Sequence, residues 1–284
     1  LSCRAGSVIL PRPFRREFDP LPATAAPPVS GEFSPPKTAL VTGAAHRIGR
    51  TLALGLSATG WRVALHYHRS KAAVQSLADE IVKAGGQAVS VSADLTREAE
   101  VDRVIPRLVE QIGPLGLLVN NASAFERDQP MTVTRASWDL HLETNLRAPF
   151  VLCQSFARQL PETRKGAIVN VIDQRVWNLT PDFTSYTVSK AALWALTQCL
   201  ALALAPSIRV NAIGPGPTMA SKHQSQAQFD RQCAMMPLQH GASLAELSAA
   251  LDFILASPSM TGQMIALDGG QHLCWAPSPS RWEE

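Results

Sequence analysis

The chain's 284 residues predict a single-domain α/β fold, a doubly wound seven-stranded parallel sheet with helices on both faces. Three observations point there. Short apolar runs alternate with longer amphipathic stretches along most of the chain, apolar residues make up 46% of it, and the first run ends in a small-residue turn that opens a helix. The runs read as strands are Ala39 to Val41, Val63 to Leu65, Ala88 to Val91, Leu117 to Val119, Ile168 to Ile172, Ile208 to Ile213 and Met264 to Leu267. Short, nearly continuous apolar runs suit strands covered on both faces. The domain is expected over residues 37–273, with ligands at the carboxyl edge of the sheet, near the point where strand order reverses.

Residues 1–36 read differently. Their prolines are dense, and Arg4, Arg12, Arg15 and Arg16 are joined by no sustained apolar segment, so the stretch is expected to be a disordered leader or a tag remnant. It is not a secretory signal, and Pro11, Pro13, Pro20 and Pro22 would break the amphipathic helix of a transit peptide. Residues 274–284, rich in Pro and Ser, are expected to be a tail or an arm reaching a neighbouring subunit.

Composition excludes several function classes. A net charge of +3 with no extended Lys/Arg stripe gives no case for nucleic acid. The five cysteines have no metal-ligand spacing and their odd number argues against a disulfide framework, so no metal and reduced thiols are expected. The longest apolar run, around Cys199 to Ala205, stops at Pro206 and falls short of a membrane span. A cytoplasmic protein is the expectation.

Two segments carry chemistry. Thr38 to Thr42 runs into Gly43-Ala44-Ala45-His46-Arg47-Ile48-Gly49 and then a helical stretch from Arg50 to Thr59. Strand, small-residue turn and helix is the layout in which glycine lets the backbone approach a pyrophosphate at a helix N-terminus. Far downstream, Tyr186-Thr187-Val188-Ser189-Lys190 opens a helical run continuing to Ala205. A tyrosine and a lysine four apart share a helix face, and an ammonium beside a phenol is expected to pull its pKa down toward neutrality. Either segment by itself has an ordinary packing or surface reading; the two together do not.

With both in place the chain resembles the short-chain dehydrogenase/reductases over roughly residues 37 to 273, which implies a Rossmann-type fold. Their T-G-x-x-x-G-x-G turn is matched at Thr42, Gly43, Ile48 and Gly49, but Arg47 stands at the usual middle glycine. Their catalytic serine lies thirteen residues before the tyrosine, and Asp173 occupies that place. Pteridine reductases share both departures, and the chain is similar to them again at His66-Tyr67-His68-Arg69-Ser70 and at Asn120-Asn121-Ala122-Ser123-Ala124-Phe125.

The resemblance implies a cofactor site and a reaction. After the second strand an acid would favour NAD, whereas His68, Arg69 and Ser70 offer a guanidinium and a hydroxyl to a 2′-phosphate, so NADPH is expected. A surface pair between Arg69 and Asp79 is the alternative. Asp94 and Leu95 match the adenine-contacting pair, and Asn121, Ala122 and Ser123 the ribose and pyrophosphate contacts. Pro215, Gly216 and Thr218 resemble the nicotinamide loop with its threonine two positions early. Arg47 has two roles open to it, toward the phosphates or toward the substrate.

For catalysis the resemblance makes Tyr186 the proton donor, Lys190 its partner and a ribose contact, and Asn145 the support of a proton-relay water or a buried cap. Asp173, if its pKa is raised by burial and like charge, would donate as an acid to a pterin ring. Phe125 would stack on that ring, and Trp177 is a second candidate wall or a core residue. The expected function is hydride transfer from NADPH to a pterin C=N bond in dihydrobiopterin, dihydromonapterin or dihydrofolate. A carbonyl or 3-oxoacyl-thioester reductase and a non-catalytic NADPH sensor are the alternatives. The family's habit implies a homotetramer paired through the tyrosine helix, where Leu193 to Ala205 is apolar.

Overall fold

The structure is a computed structural model that describes residues 35–221 and 224–274. The expectations for residues 1–34 and 275–284 lie outside the described residues. Among the described residues seven strands form one sheet: β1 (Thr38–Val41), β2 (Arg62–Tyr67), β3 (Gln87–Ser92), β4 (Leu117–Asn120), β5 (Gly166–Val171), β6 (Ile208–Pro215) and β7 (Met264–Leu267). Their order is β3-β2-β1-β4-β5-β6-β7 and every pairing is parallel. The order reverses between β1 and β4, where the chain crosses from one half of the sheet to the other.

Helices cover both faces because the strand side chains alternate. Ala39 and Val41 of β1 join one apolar cluster and Leu40 joins the other. The first cluster receives α1 (Arg47–Ala58), α2 (Lys71–Lys83) and α9 (Leu244–Ala256). Each presents a stripe at helical spacing: Leu52, Ala53 and Leu56 from α1, Val74, Leu77, Ala78 and Ile81 from α2, and Leu247, Ala250, Leu251 and Ile254 from α9. The second cluster receives α4 (Val104–Ile112), α6 (Ala148–Gln159) and α7 (Thr184–Ala203). In chain order, α3 (Glu98–Val101), whose Val101 joins the second cluster, precedes α4, α5 (Arg135–Leu142) and a π turn over Glu143–Arg147 precede α6, and α8 (Gln226–Ala234) precedes α9.

Element boundaries differ from the sequence expectations for identifiable reasons. Helix α1 starts at Arg47, because the small-residue turn is already its first turn, with Arg50 N donating to His46 O at 3.2 Å. Helix α7 starts two residues before Tyr186 and ends at Ala203, since the residue before Pro206 is disfavoured in helical conformation. Strand β2 takes in His66 and Tyr67, which pair with Val91 and Ser92 of β3.

Candidate active site

The carboxyl ends of β1 to β6 open onto two adjoining hollows, a cleft of about 760 Å³ over β1 to β4 and a cavity of about 550 Å³ over β4 to β6. Arg47, Ile48, Asn121, Ser123 and Ala124 line both. All twelve residues expected to hold the cofactor outside the catalytic pair and the loop after β6 line the cleft, from Gly43 through Ser123. Asp173, Tyr186, Lys190 and Phe125 line the cavity together with Pro215, Gly216 and Thr218. Asn145 lines neither.

The cleft floor is built by close backbone approach. Gly43 has φ +62°, and a Cβ there would sit 2.9 Å from Ala122 Cα. A Cβ on Gly49 would collide with Gly43 O. Asn121 fixes the same turn: its Nδ2 donates to Thr42 O at 2.9 Å and to Gly43 O at 3.2 Å. Thr42 Oγ1 accepts from Asn121 N and Ala122 N at 2.9 and 3.0 Å. His66, whose part the sequence did not reveal, closes the arrangement from β2. Its Nδ1 accepts from Gly43 N at 3.1 Å, so Nε2 carries the proton toward Ala93 O at 3.1 Å. Burial lowers the pKa of His66 to about 4, which keeps that acceptor nitrogen free of a proton at neutral pH.

The far wall of the cleft is basic and open. Arg69 is exposed and its side chain makes no ion pair among the described residues, so the surface pair with Asp79 is absent; Asp79 accepts from Gln75 instead. Ser70 stands at the N-cap of α2 without a side-chain capping bond, and His46 does so at α1. Neither helix has an acid in its first turn, so both N-termini present uncapped N–H groups and positive dipole ends to the cleft. Asp94 is folded onto Thr96, accepting from its N at 3.0 Å and Oγ1 at 2.8 Å, and lies 3.6 Å from His68 Nε2. Burial works to raise its pKa, but the Thr96 bonds outweigh it and the carboxyl sits below its ordinary value.

In the cavity Tyr186 Oη donates to Asp173 Oδ2 at 2.9 Å, and Asp173 Oδ1 accepts from Arg175 N at 2.7 Å. Lys190 Nζ donates to Val171 O at 2.9 Å and lies 5.8 Å from the centre of the tyrosine ring. This corrects the expected lowering of the phenol pKa. Burial raises it well above its ordinary value and the Asp173 charge adds to that. Burial lowers Lys190 to about 8, with Asp173 opposing. A phenol in this state holds its proton through neutral pH and is equipped to donate.

Arg47 adopts φ +51°, the backbone region that explains why a glycine is usual at its position. Its guanidinium donates to Ala220 O at 2.8 Å and Met219 O at 3.1 Å, joining the β1–α1 turn to the loop after β6. Phe125 stacks on Phe183 with centroids 4.5 Å apart and meets the Tyr186 ring edge-on at 4.7 Å. The Arg175 guanidinium lies 5.0 Å from the Phe183 ring, backing the stack. Trp177 packs against Trp194 and His272 outside the cavity lining, so it is not a wall. Asn145 is fully buried in the π turn and ties three segments: Nδ2 donates to Ala124 O and Ser189 Oγ, and Oδ1 accepts from Ala124 N and Ser123 Oγ.

A family model for short chain dehydrogenases matches residues 37–231. The chain belongs to the short-chain dehydrogenase family. As a short-chain dehydrogenase it is an oxidoreductase, and its solved relatives include two close in fold. The FolM alternative dihydrofolate reductase 1 of Brucella canis, complexed with NADP, is 45% identical with a TM-score of 0.82, over 86% of this chain and 96% of that one. The same protein of Brucella suis, also with NADP, is 46% identical with a TM-score of 0.82, over 85% and 97%. Among curated proteins, the 3-oxoacyl-(acyl-carrier-protein) reductase FabG of Staphylococcus epidermidis is 30% identical over 242 residues, 84% of this short-chain dehydrogenase and 99% of FabG.

Proposed function

We propose that this short-chain dehydrogenase is an NADPH-dependent reductase of pterin-type C=N bonds. The observation that carries the reading is the Tyr186–Asp173 hydrogen bond at 2.9 Å in a cavity with Phe125 on its wall. Support comes also from the likeness to proteins described as alternative dihydrofolate reductases in complex with NADP.

The cleft suits a phosphorylated dinucleotide. Two uncapped helix N-termini attract anions, and Arg69 with the Ser70 hydroxyl supplies a guanidinium and a donor for a further phosphate. When bound, the reduced nicotinamide supplies the hydride. Reduction of C=N leaves a nitrogen that needs a proton, and Tyr186, protonated through neutral pH, holds one on an oxygen facing the cavity. Asp173 keeps the phenol aimed and offers a carboxylate to N–H donors of an amino-pyrimidine ring. Lys190 places a positive charge under the tyrosine ring, where it offsets the charge left as the phenol gives up its proton. Phe125, backed by Phe183, gives a flat ring a stacking face.

The second reading, reduction of 3-oxoacyl thioesters, is favoured by the likeness to FabG. A thioester carbonyl calls for a neutral hydroxyl donor where Asp173 stands, and the carboxylate repels a developing oxyanion.

NADPH oxidation followed by absorbance tests both, with dihydrofolate, dihydrobiopterin and dihydromonapterin against an acetoacetyl thioester. Turnover of a pterin well above the thioester is expected, and the reverse order overturns the proposal. Tyr186→Phe is expected to lower turnover by at least about 10²-fold while NADPH affinity holds.

A further inference from the structure

The two aromatic rings of the proposed site, Phe125 and Tyr186, come from distant parts of the chain, and one buried imidazole is bonded next to each. His141 on α5 is fully buried. Its Nε2 accepts from Glu126 N at 3.0 Å, one residue beyond Phe125. Its Nδ1 lies 2.7 Å from Ser185 Oγ, one residue before Tyr186. A backbone N–H can only donate, so Nε2 is bare, the ring proton is on Nδ1, and the imidazole donates to Ser185.

The chain of bonds continues in one direction. Ser185 Oγ donates to Asp128 Oδ2, and Ser185 N donates to Asp128 Oδ1 at 3.1 Å. Ser137 Oγ donates to Asp128 Oδ2 at 2.7 Å, and Asp128 O accepts from Phe183 N at 2.8 Å. The carboxylate of Asp128 therefore caps the first turn of α7, whose own cap residue, Phe183, has φ +60° and contributes no side-chain bond. A Ser, His and Asp in contact invite a hydrolytic reading, but Ser185 and His141 are both fully buried and the serine proton points at Asp128, so no substrate meets a nucleophile here. The charged groups acting on His141 are Asp128, Glu126 and Lys190; burial, joined by the Lys190 charge, outweighs Asp128, the Ser137 backbone bond and Glu126 and lowers the ring's pKa.

We infer that His141 is a positioning residue that sets the two rings against each other, holding Tyr186 through Ser185 and Phe125 through Glu126. The inference rests on the reading above, in which Tyr186 donates the proton and Phe125 stacks on the substrate. The edge-on Phe125–Tyr186 contact and the His141 ring 6.0 Å from Tyr186 are the geometry it preserves.

Two amide variants separate the two ends. In His141→Asn the carboxamide falls at the Nδ1 position and keeps a donor for Ser185 while removing the His141 acceptor from Glu126 N. In His141→Gln the amide oxygen reaches the Nε2 position and the Ser185 bond is lost. Loss of one such bond is expected to change a kinetic constant by about 2- to 10-fold. The Asn variant should show it as a raised KM for dihydropterin with kcat kept, and the Gln variant as a lowered kcat with KM kept. Ser185→Ala, which leaves the imidazole in place, should behave as the Gln variant does.

A readout free of turnover comes from the chain's two tyrosines. Incorporated fluorotyrosine gives two fluorine resonances, and Tyr67→Phe assigns them. His141→Gln and Ser185→Ala are each expected to shift the Tyr186 resonance and leave that of Tyr67 near its native position; Ser185→Ala does so with the imidazole still in place. An unmoved Tyr186 resonance in both His141→Gln and Ser185→Ala overturns the inference, as does an equal loss in kcat and KM across the three variants. If the native enzyme turns over no pterin, the proposed function fails and the fluorine spectra still decide the role of His141.

Discussion

A single histidine makes the turn after β1 sensitive to acid. His66 is a base whose folded pKa, about 4, lies below its ordinary 6.5, so the unfolded chain takes up the proton first. Its contribution is complete above the unfolded value and is lost as pH falls from there through 4, a difference on the order of 3 kcal/mol. His141 is shifted by burial in the same direction, so its contribution too is lost as pH falls below its ordinary value. Urea unfolding should therefore show a lower midpoint at about pH 5 than at about pH 7, with a smaller difference in His66→Gln. Equal midpoints in the native protein would count against a buried neutral imidazole. Single residues were legible in the sequence where they carry chemistry at a fixed spacing, as Asp173 and Tyr186 do thirteen apart. The direction of the Tyr186 shift was not, because a lysine on the same helix face is visible in sequence while burial and the Asp173 contact are made by the fold. The linkage of Asp128, His141 and Ser185 was equally hidden, since residues on a loop and two helices share no local pattern.

Arg47 shows how two elements are joined at a cost to one of them. Its left-handed backbone is strained by roughly 1–2 kcal/mol in a residue with a side chain, and its two bonds to the carbonyls of Met219 and Ala220 are exposed. Arg47→Gly relieves the first and removes the second, so Tm should stay near the native value. Hydrogen exchange over residues 216–221 should become faster and KM for the pterin should rise. Slower or unchanged exchange there would show that the loop is held by other groups. The strands were read from their apolar runs, and all seven appear, because burial on both faces leaves an unbroken signal. The ends were less legible: α7 begins where Asp128, fifty-seven residues away, caps it, and no feature next to Thr184 announces that. The π turn at Glu143–Arg147 is likewise invisible, since it exists to place Asn145 among Ser123, Ala124 and Ser189.

At the scale of the molecule the reversal of strand order between β1 and β4 puts the cleft where both halves of the sheet end. A ligand there touches the carboxyl ends of β1 to β4 at once and stabilises only the folded chain. NADPH at a hundredfold excess over its Kd should raise stability by about 2.7 kcal/mol, read as a rise in Tm. NADH at the same concentration should give less, and Arg69→Ala should erase the difference; equal shifts in the native protein would speak against a phosphate contact at Arg69. The two hollows also differ in how much of the chain they need. Every residue lining the cleft precedes 145, whereas the cavity draws on residues as far as Gln271. During synthesis the cleft has its full set of residues long before the cavity has its last, so a nascent chain stalled before Gln271 already carries every residue that lines the cleft and still lacks one that lines the cavity. Order of translation thus completes the lining of one hollow before that of the other.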